Sequence, residues 1–253
     1  PWIRAGRKIG FDRRRARDAH GLFVNETIPP ARQHFVDAYL SFAVKLGMTP
    51  QPAEWHLPIS AEDRSIVQSM IKGCQRPLIA INPATSRINR NWPLDRYANL
   101  MIRANRTWPV SFILTGGPGR EERNVSDALM RLLPRDVEVI NTTGNTSIPQ
   151  MLALLSEADV LIAGDTGPVH FADAVGTPVV GLYTAAPSAL SGPYHSRHLT
   201  VDKFDEAARQ LLGRDPGTLP WNTRVHHPQA MELITVPEVF DKLTEVMNAK
   251  DGS

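Results

Sequence analysis

Asp159-Val160-Leu161-Ile162-Ala163-Gly164-Asp165-Thr166-Gly167-Pro168-Val169-His170-Phe171-Ala172 is the stretch whose reading decides the fold. It opens on a short apolar run of strand type, passes through a glycine-containing turn, and continues as a helix. That helix is predicted from His170 to Val175, rich in small residues and stopped by Gly176-Thr177-Pro178. In a parallel sheet such a turn lies at the carboxyl end of its strand, where open α/β sheets bind ligands. The unpaired N–H groups and positive dipole end of a helix start favour a phosphate there. A plainer reading uses the same residues as caps: Asp165 and Thr166 are good N-cap residues, and Pro168 suits the first turn. His170, one turn in, either donates to a phosphate oxygen at the same mouth or is an ordinary surface residue.

Outward from this stretch the pattern is regular. Leu78-Ile79-Ala80-Ile81, Val110 to Leu114, Val137 to Ile140, Val160 to Ala163 and Val179 to Leu182 read as strands. Helices are predicted over 94–106, 120–133 and 148–156. Alternation of this kind implies βαβ units and a parallel sheet with right-handed crossovers. The strands are continuous apolar runs, as expected when both faces are covered. After Tyr183 come a Pro-, Ser- and Gly-rich loop, a helix at 204–212, an irregular stretch, and a last helix near 237–248. Before the sheet, Phe35 to Leu46 has apolar residues at helical spacing, and 62–72 is a further helix. Between them Thr49 to Pro58 carries Pro50, Pro52 and Pro58 and reads as a linker. The boundary is therefore placed at 58, giving an amino-terminal unit 1–58 and a carboxyl-terminal Rossmann-like unit 59–253.

Composition bounds the function. The 253 residues suffice for one large or two modest domains, and 42% hydrophobic with 21% charged residues is ordinary for a globular protein. The single cysteine, Cys74, excludes an internal disulfide framework and fits a reducing compartment. No apolar run approaches the ~18 residues of a spanning helix. A net charge of +2 makes no global case for nucleic acid. Locally, however, Arg4, Arg7, Lys8, Arg13, Arg14, Arg15 and Arg17 stand against Asp12 and Asp18. Such a cluster marks either an anionic partner or a solvated basic loop. Aromatic residues that would stack on bases are sparse around it, so no nucleic-acid partner is expected. The chain opens on Pro1-Trp2 without an initiator methionine and reads as a fragment.

The strand-end loops belong together. In the 82–93 loop, Thr85 and Ser86 can donate to phosphate oxygens and Arg90 can neutralise a diphosphate. The alternative is a capped polar loop in which Trp92 and Pro93 form a hydrophobic helix entry. The 115–122 loop offers glycines and then Glu121 and Glu122, which either accept ribose hydroxyls or sit in a first helical turn that the dipole favours. It lacks the G-x-G-x-x-G pattern of dinucleotide sites. No cluster has metal-ligand spacing, and there is no G-x-S-x-G elbow. Hydroxyls, an arginine, a carboxylate and a helix start on one sheet edge suit a nucleoside diphosphate.

These residues also resemble a known family. Asp165-Thr166-Gly167-Pro168-x-His170, followed by Ala172, Ala174, Gly176 and Pro178, is similar to the signature of the ADP-heptose:lipopolysaccharide heptosyltransferases, glycosyltransferase family 9 (GT9). Ser86-Arg87-x-x-Arg90-x-Trp92-Pro93, Gly116-Gly117…Glu121-Glu122, Gly192-Pro193-Tyr194 and Arg7-Lys8-Ile9-Gly10-Phe11 support it. The resemblance implies an α/β fold of GT-B type: two Rossmann-like domains facing across a cleft, the amino-terminal one truncated in this chain. It implies inverting, metal-independent transfer of heptose from ADP-heptose, with no cofactor. The acceptor would be the lipopolysaccharide inner core or Kdo-lipid A, at the cytoplasmic face of the inner membrane, with the enzyme bound peripherally.

Carried over by position, Thr85, Ser86, Arg90, Asp165, Thr166, Gly167, Pro168 and His170 would hold the donor diphosphate and sugar. Glu121 or Glu122 would hold the ribose, and Thr146 would line the adenine pocket. Arg13, Arg14 and Arg15 would face the phosphorylated, Kdo-bearing acceptor and the anionic membrane surface. Two departures stand out. The family usually has Lys at the position of Arg90, which changes a point donor into a fork. The family's general base is an Asp in a loop that is expected upstream of Pro1, so no catalytic residue is named. The alternatives are a GT-B enzyme using another nucleotide-sugar, such as a UDP-sugar transferase or epimerase, and a non-catalytic nucleotide-binding fragment.

Overall fold

The apolar runs 78–81, 111–114, 160–163 and 179–182 have no polar face to turn toward water, so they are stable only where both faces are covered. The computed structural model, which describes residues 4–16 and 18–251, buries all four inside one parallel sheet. Arg17 of the basic cluster and the opening Pro1-Trp2 lie outside the described residues.

In chain order, β1 (Ile9–Gly10) and β2 (Glu26–Thr27) form a two-stranded parallel sheet, followed by α1 (Phe35–Lys45) and α2 (Ala61–Met70). The main sheet comprises β3 (Leu78–Asn82), β4 (Ser111–Leu114), β5 (Val139–Asn141), β6 (Val160–Gly164), β7 (Val179–Tyr183) and β8 (Val201–Asp202). Its connections carry α3 (Leu94–Thr107), α4 (Arg120–Leu132), α5 (Ile148–Glu157), α6 (Gly167–Ala174) and the short α7 (Ser188–Ser191). Two further helices, α8 (Phe204–Leu212) and α9 (Val236–Asp251), complete the chain.

The strand order is β5-β4-β3-β6-β7-β8, every pairing parallel. The chain builds outward from β3 to β5, returns to lay β6 beside β3, and builds outward again on the other side. The topological switch point therefore lies between β3 and β6, where Asn82 pairs with Ala163 at the carboxyl edge. A crevice opens at such a reversal because the crossovers on either side leave in opposite directions.

Alternate strand residues feed two layers. Ile79, Ile81, Phe112, Leu114, Ile162 and Val180 face a core shared with α3, α4 and α9. Ala80, Leu161, Ala163 and Val179 face α5 and α6, while Leu78 and Ile113 meet α2 and α5. Trp92 is fully buried, its indole N–H donating to Ile234 O at 3.0 Å and its ring edge-on to Tyr97 at 4.9 Å, so the Trp92-Pro93 helix entry is real. The structure differs from the sequence pattern in detail. The helix of the opening stretch starts at Gly167 rather than His170, because Thr166 is extended (φ −150°) and Pro168 fits the first turn. β8 and α7 occupy the stretch after Tyr183 that reads as loop; at two and four residues they are too short to show a period.

The amino-terminal segment is tied to the rest of the fold by long-range side-chain contacts. His34 caps α1 by accepting from Val36 N at 3.2 Å, and its Nε2 donates to Gly192 O at 2.9 Å. Tyr194 donates to Asp37 Oδ1 at 2.6 Å, and Trp221 donates to Gln33 O at 3.0 Å. Trp55 stands edge-on to His195 at 4.8 Å.

Candidate nucleotide-sugar site

At the switch point two loops meet. After β3, the Thr85 amide donates to Asn91 Oδ1 at 2.7 Å and its hydroxyl donates to Arg87 O at 2.7 Å, folding the loop back on itself. That fold delivers Arg90 to the end of β6, where its Nη1 donates to Asp165 Oδ2 at 3.0 Å. Both side chains are mostly buried, 15% and 17% exposed. The approach is eased by glycine at 164: a Cβ there would lie 3.1 Å from Arg90 O and 3.4 Å from Thr85 Cγ2, tight enough that the neighbours would have to give by tenths of an ångström.

Asp165 is thus committed to Arg90 and does not cap α6. Thr166 occupies the N-cap position, and its side chain makes no capping bond either. Gly167 is exposed, with nothing within 4 Å of where a Cβ would stand. In this first turn Pro168 carries no N–H and the Val169 amide donates to Thr166 O at 3.2 Å, so the Gly167 amide is the first-turn donor left for an anion beside the guanidinium. Three buried polar atoms along this edge have no hydrogen-bond partner among the described residues: Arg90 Nε, Asn82 Oδ1 and Thr146 Oγ1. Buried polar atoms are nearly always satisfied, so such a set on one strand-end edge is unusual for a structural surface. Asn82 went unassigned in the sequence, although a lone polar residue closing an apolar strand run is a readable signal.

The other predicted residues spread along the same edge. Ser86 is exposed on the β3 loop, and Thr85 is half-buried. One strand over, after β4, Glu122 curls its carboxylate over the backbone, so that a Cβ on Gly117 would meet Glu122 Oε2 at 2.6 Å; Glu121 is exposed beside it. Two strands over, after β5, Thr146 precedes α5, which Ser147 and Gln150 close with a capping box. Arg123 bridges these loops, donating to Pro118 O at 3.2 Å and Gly144 O at 3.4 Å. His170 is exposed on the second turn of α6.

Arg13, Arg14 and Arg15 stand apart from the strand-end cluster. Arg13 and Arg14 are exposed, whereas Arg15 pairs with Asp12 and donates to Pro29 O at 2.5 Å. Among the described residues no group of three or more His, Cys, Asp or Glu is placed to hold a metal ion.

One residue that the sequence did not flag organises the far end of α6. Asp173 is 6% exposed and accepts from three consecutive amides: Tyr194 N and His195 N at 2.9 Å, and Ser196 N at 3.2 Å. The helix whose start faces the mouth thereby fixes the loop that His34 and Asp37 grip from the other side. Burial holds His34 below the ordinary imidazole range, Arg197 and His170 push the same way, and the Gly192 carbonyl and Asp37 oppose them. The neutral Nε2–H tautomer explains both of its bonds, since Nδ1 must stay unprotonated to accept from Val36.

Known proteins share this architecture. Among the solved structures, the glycosyl transferase family 9 protein of Veillonella parvula aligns with a TM-score of 0.74 at 19% identity, covering 90% of this chain and 64% of its own. The Escherichia coli heptosyltransferase WaaC with ADP aligns at 0.61 and 20% identity, covering 94% and 65%. At these identities the likeness is one of fold, and the chain spans about two thirds of each structure. The lipopolysaccharide core heptosyltransferase OpsX of Haemophilus influenzae is 29% identical over 245 residues, 96% of this chain and 70% of that protein. The family model for glycosyltransferase family 9 (heptosyltransferase) matches residues 1–213. The chain belongs to glycosyltransferase family 9.

Proposed function

We propose that the chain holds the donor of an inverting transfer of heptose from ADP-heptose to the lipopolysaccharide inner core. The observation that carries this reading is the Arg90–Asp165 pair at the switch point, beside the uncapped start of α6. A diphosphate placed there meets the rest of the Arg90 fork, the Gly167 amide and, one turn in, His170. Ser86 adds a hydroxyl donor, Thr85 shapes the loop through its own bond to Arg87 O, and Thr166, Gly167 and Pro168 shape the turn. Glu121 or Glu122 takes the ribose hydroxyls one strand over, and Thr146 meets the adenine edge beyond.

In the reaction an acceptor hydroxyl oxygen attacks the anomeric carbon and displaces ADP, whose β-phosphate oxygen takes the bonding electron pair. Arg90 and the helix start meet the negative charge as it develops, which is where preorganised donors are most effective. The hydroxyl proton passes to a general base, for which we propose no residue of this chain. With positive charge supplied by the protein, transfer proceeds in the presence of a chelator. We place the boundary between acceptor and donor units at 58/59, and the enzyme at the cytoplasmic membrane face as a peripheral protein. Among the described residues no helix is long and apolar enough to cross a membrane.

Calorimetric titration with ADP and UDP, with and without EDTA, tests the donor reading. ADP binding that survives EDTA and weakens in Arg90→Ala supports it. A preference for UDP keeps the fold and discards the heptose donor.

A further inference from the structure

The 192–197 stretch is gripped from two sides, by the helix that starts at the mouth and by the amino-terminal segment. Asp173, near the end of α6, takes the Tyr194, His195 and Ser196 amides and lies 3.3 Å from His195 Nδ1. From the other side, His34 Nε2 donates to Gly192 O, and its ring stands edge-on to Tyr194 at 5.2 Å. Asp37 accepts from the Tyr194 hydroxyl at 2.6 Å and from Arg197 Nη2 at 3.4 Å, while Arg197 lies over the Tyr194 ring at 4.4 Å. Trp55 stands 5.4 Å from Tyr194 and 4.8 Å from His195.

α6 is short enough to carry an event at its start to its end. Gly167 and Asp173 lie about 9 Å apart along the axis, at 1.5 Å per residue. Val169 and Ala172 are fully buried, packed with Leu161, Ala163 and Val179 of the sheet. Among the described residues the helix start has no side-chain cap. A two-turn helix forms cooperatively, so an end without a cap frays and loosens the rest. An anion on the Gly167 amide supplies the missing cap and firms the helix as far as Asp173. The Asp173 carboxylate passes this to the three loop amides, and the Gly192 and Tyr194 bonds pass it to the start of α1. A separate link runs outside α6: Arg32 donates to Gly217 O and Leu219 O, and Trp221 donates to Gln33 O.

We infer that Asp173 is a positioning residue, through which a nucleoside diphosphate at the mouth tightens the hold of the 192–197 stretch on the start of α1. Donor binding thereby sets the unit proposed to hold the acceptor. The link is reciprocal: loosening the hold on α1 weakens the diphosphate by the same factor. The inference rests on the donor reading only for the choice of ADP; any diphosphate that occupies the mouth has the same effect.

The test is hydrogen exchange and calorimetry on the intact chain with ADP, UDP and inorganic pyrophosphate. Saturating ADP is expected to slow exchange at the Val36 amide, which His34 holds, about fivefold, the value of one helix cap. The Trp221 indole N–H, on the separate link, stays unchanged. Tyr194→Phe, which loses a single hydroxyl and so spares the fold, raises the ADP Kd about two- to fivefold. Asp173→Asn, which keeps one acceptor oxygen, still binds ADP but loses the slowing at Val36. Arg131→Gln, a charge change on exposed α4, alters neither readout. The inference is overturned if ADP binds and slows Val36 no more than the Trp221 indole, if Asp173→Asn keeps the full slowing, or if Tyr194→Phe leaves the Kd unaltered. Slowing at Val36 by UDP or pyrophosphate, where ADP does not bind, discards the donor reading and leaves this one standing. Failure of all three to bind overturns both.

Discussion

The nucleotide-sugar mouth and the seam that joins the amino-terminal segment to the sheet are built on opposite principles. In the mouth, Arg90 and Asp165 are 75 residues apart in sequence but sit on loops leaving adjacent, register-locked strands. Their meeting is a consequence of the sheet. In the seam, His34–Gly192, Asp37–Tyr194 and Gln33–Trp221 join residues 157 to 188 positions apart, each through side-chain bonds. The mouth is thus preorganised before any ligand arrives, whereas the seam depends on protonation and on individual side chains.

The sharpest way to break the contrast is at Asp173, which belongs to both regions. Asp173→Ala strands one buried and two part-buried amides and is expected to cost about 3 kcal/mol of stability. Urea denaturation checks this, and a loss under about 1 kcal/mol would show that the loop does not need the helix. Within the mouth, Arg90→Ala should weaken ADP binding ~10- to 100-fold, the value of charge-assisted bonds to a diphosphate, read by calorimetry. Arg90→Lys should fall between, since a point donor cannot serve Asp165 and a phosphate with the same geometry. Gly164→Ala should cost about 1 kcal/mol in stability and a few-fold in ADP affinity, because the Arg90 carbonyl must give way by tenths of an ångström.

The smallest effect separates the regions by pH. His34 titrates below its unfolded value, so the unfolded chain binds the proton more readily. The stability it contributes is present above about pH 6.5 and is lost as pH falls below that value. Arg197 and His170 reinforce that direction, and Asp37 opposes it. Hydrogen exchange at the Val36 amide should accelerate between about pH 6.5 and 5 relative to amides of β6, and His34→Gln should remove the difference.

How much of this was legible in the sequence follows the same division. The strand runs at 78–81, 160–163 and 179–182 declare themselves through their two-sided apolarity. The stretch 163–170 identifies its own sheet edge because strand, glycine turn and small-residue helix are contiguous. Thr85, Arg90 and Asp165 are readable because they follow those strands directly. Asp173 was not, since a carboxylate inside a helix looks like a solvated one until its three amide partners, twenty and more residues on, are in place. Trp221 lies in a stretch without periodicity, and only its tertiary contacts with Gln33 and Arg32 give it a place. Trp55 fell within a proline-rich stretch that reads as linker, yet its ring stands against His195.

The anchor at Asp173 has a consequence for how this chain can vary. Its carboxylate holds the 194–196 loop by backbone N–H groups, which every residue but proline carries. The side chains at 194 and 196 can therefore be exchanged by drift or by design without touching that clamp, whereas the His195 ring also meets the carboxylate, Nδ1 to Oδ2 at 3.3 Å. The path of the backbone stays put while its surface chemistry, including the Tyr194 hydroxyl that meets Asp37, is open to change. Proline at any of the three positions is the exception, the one substitution class the clamp forbids.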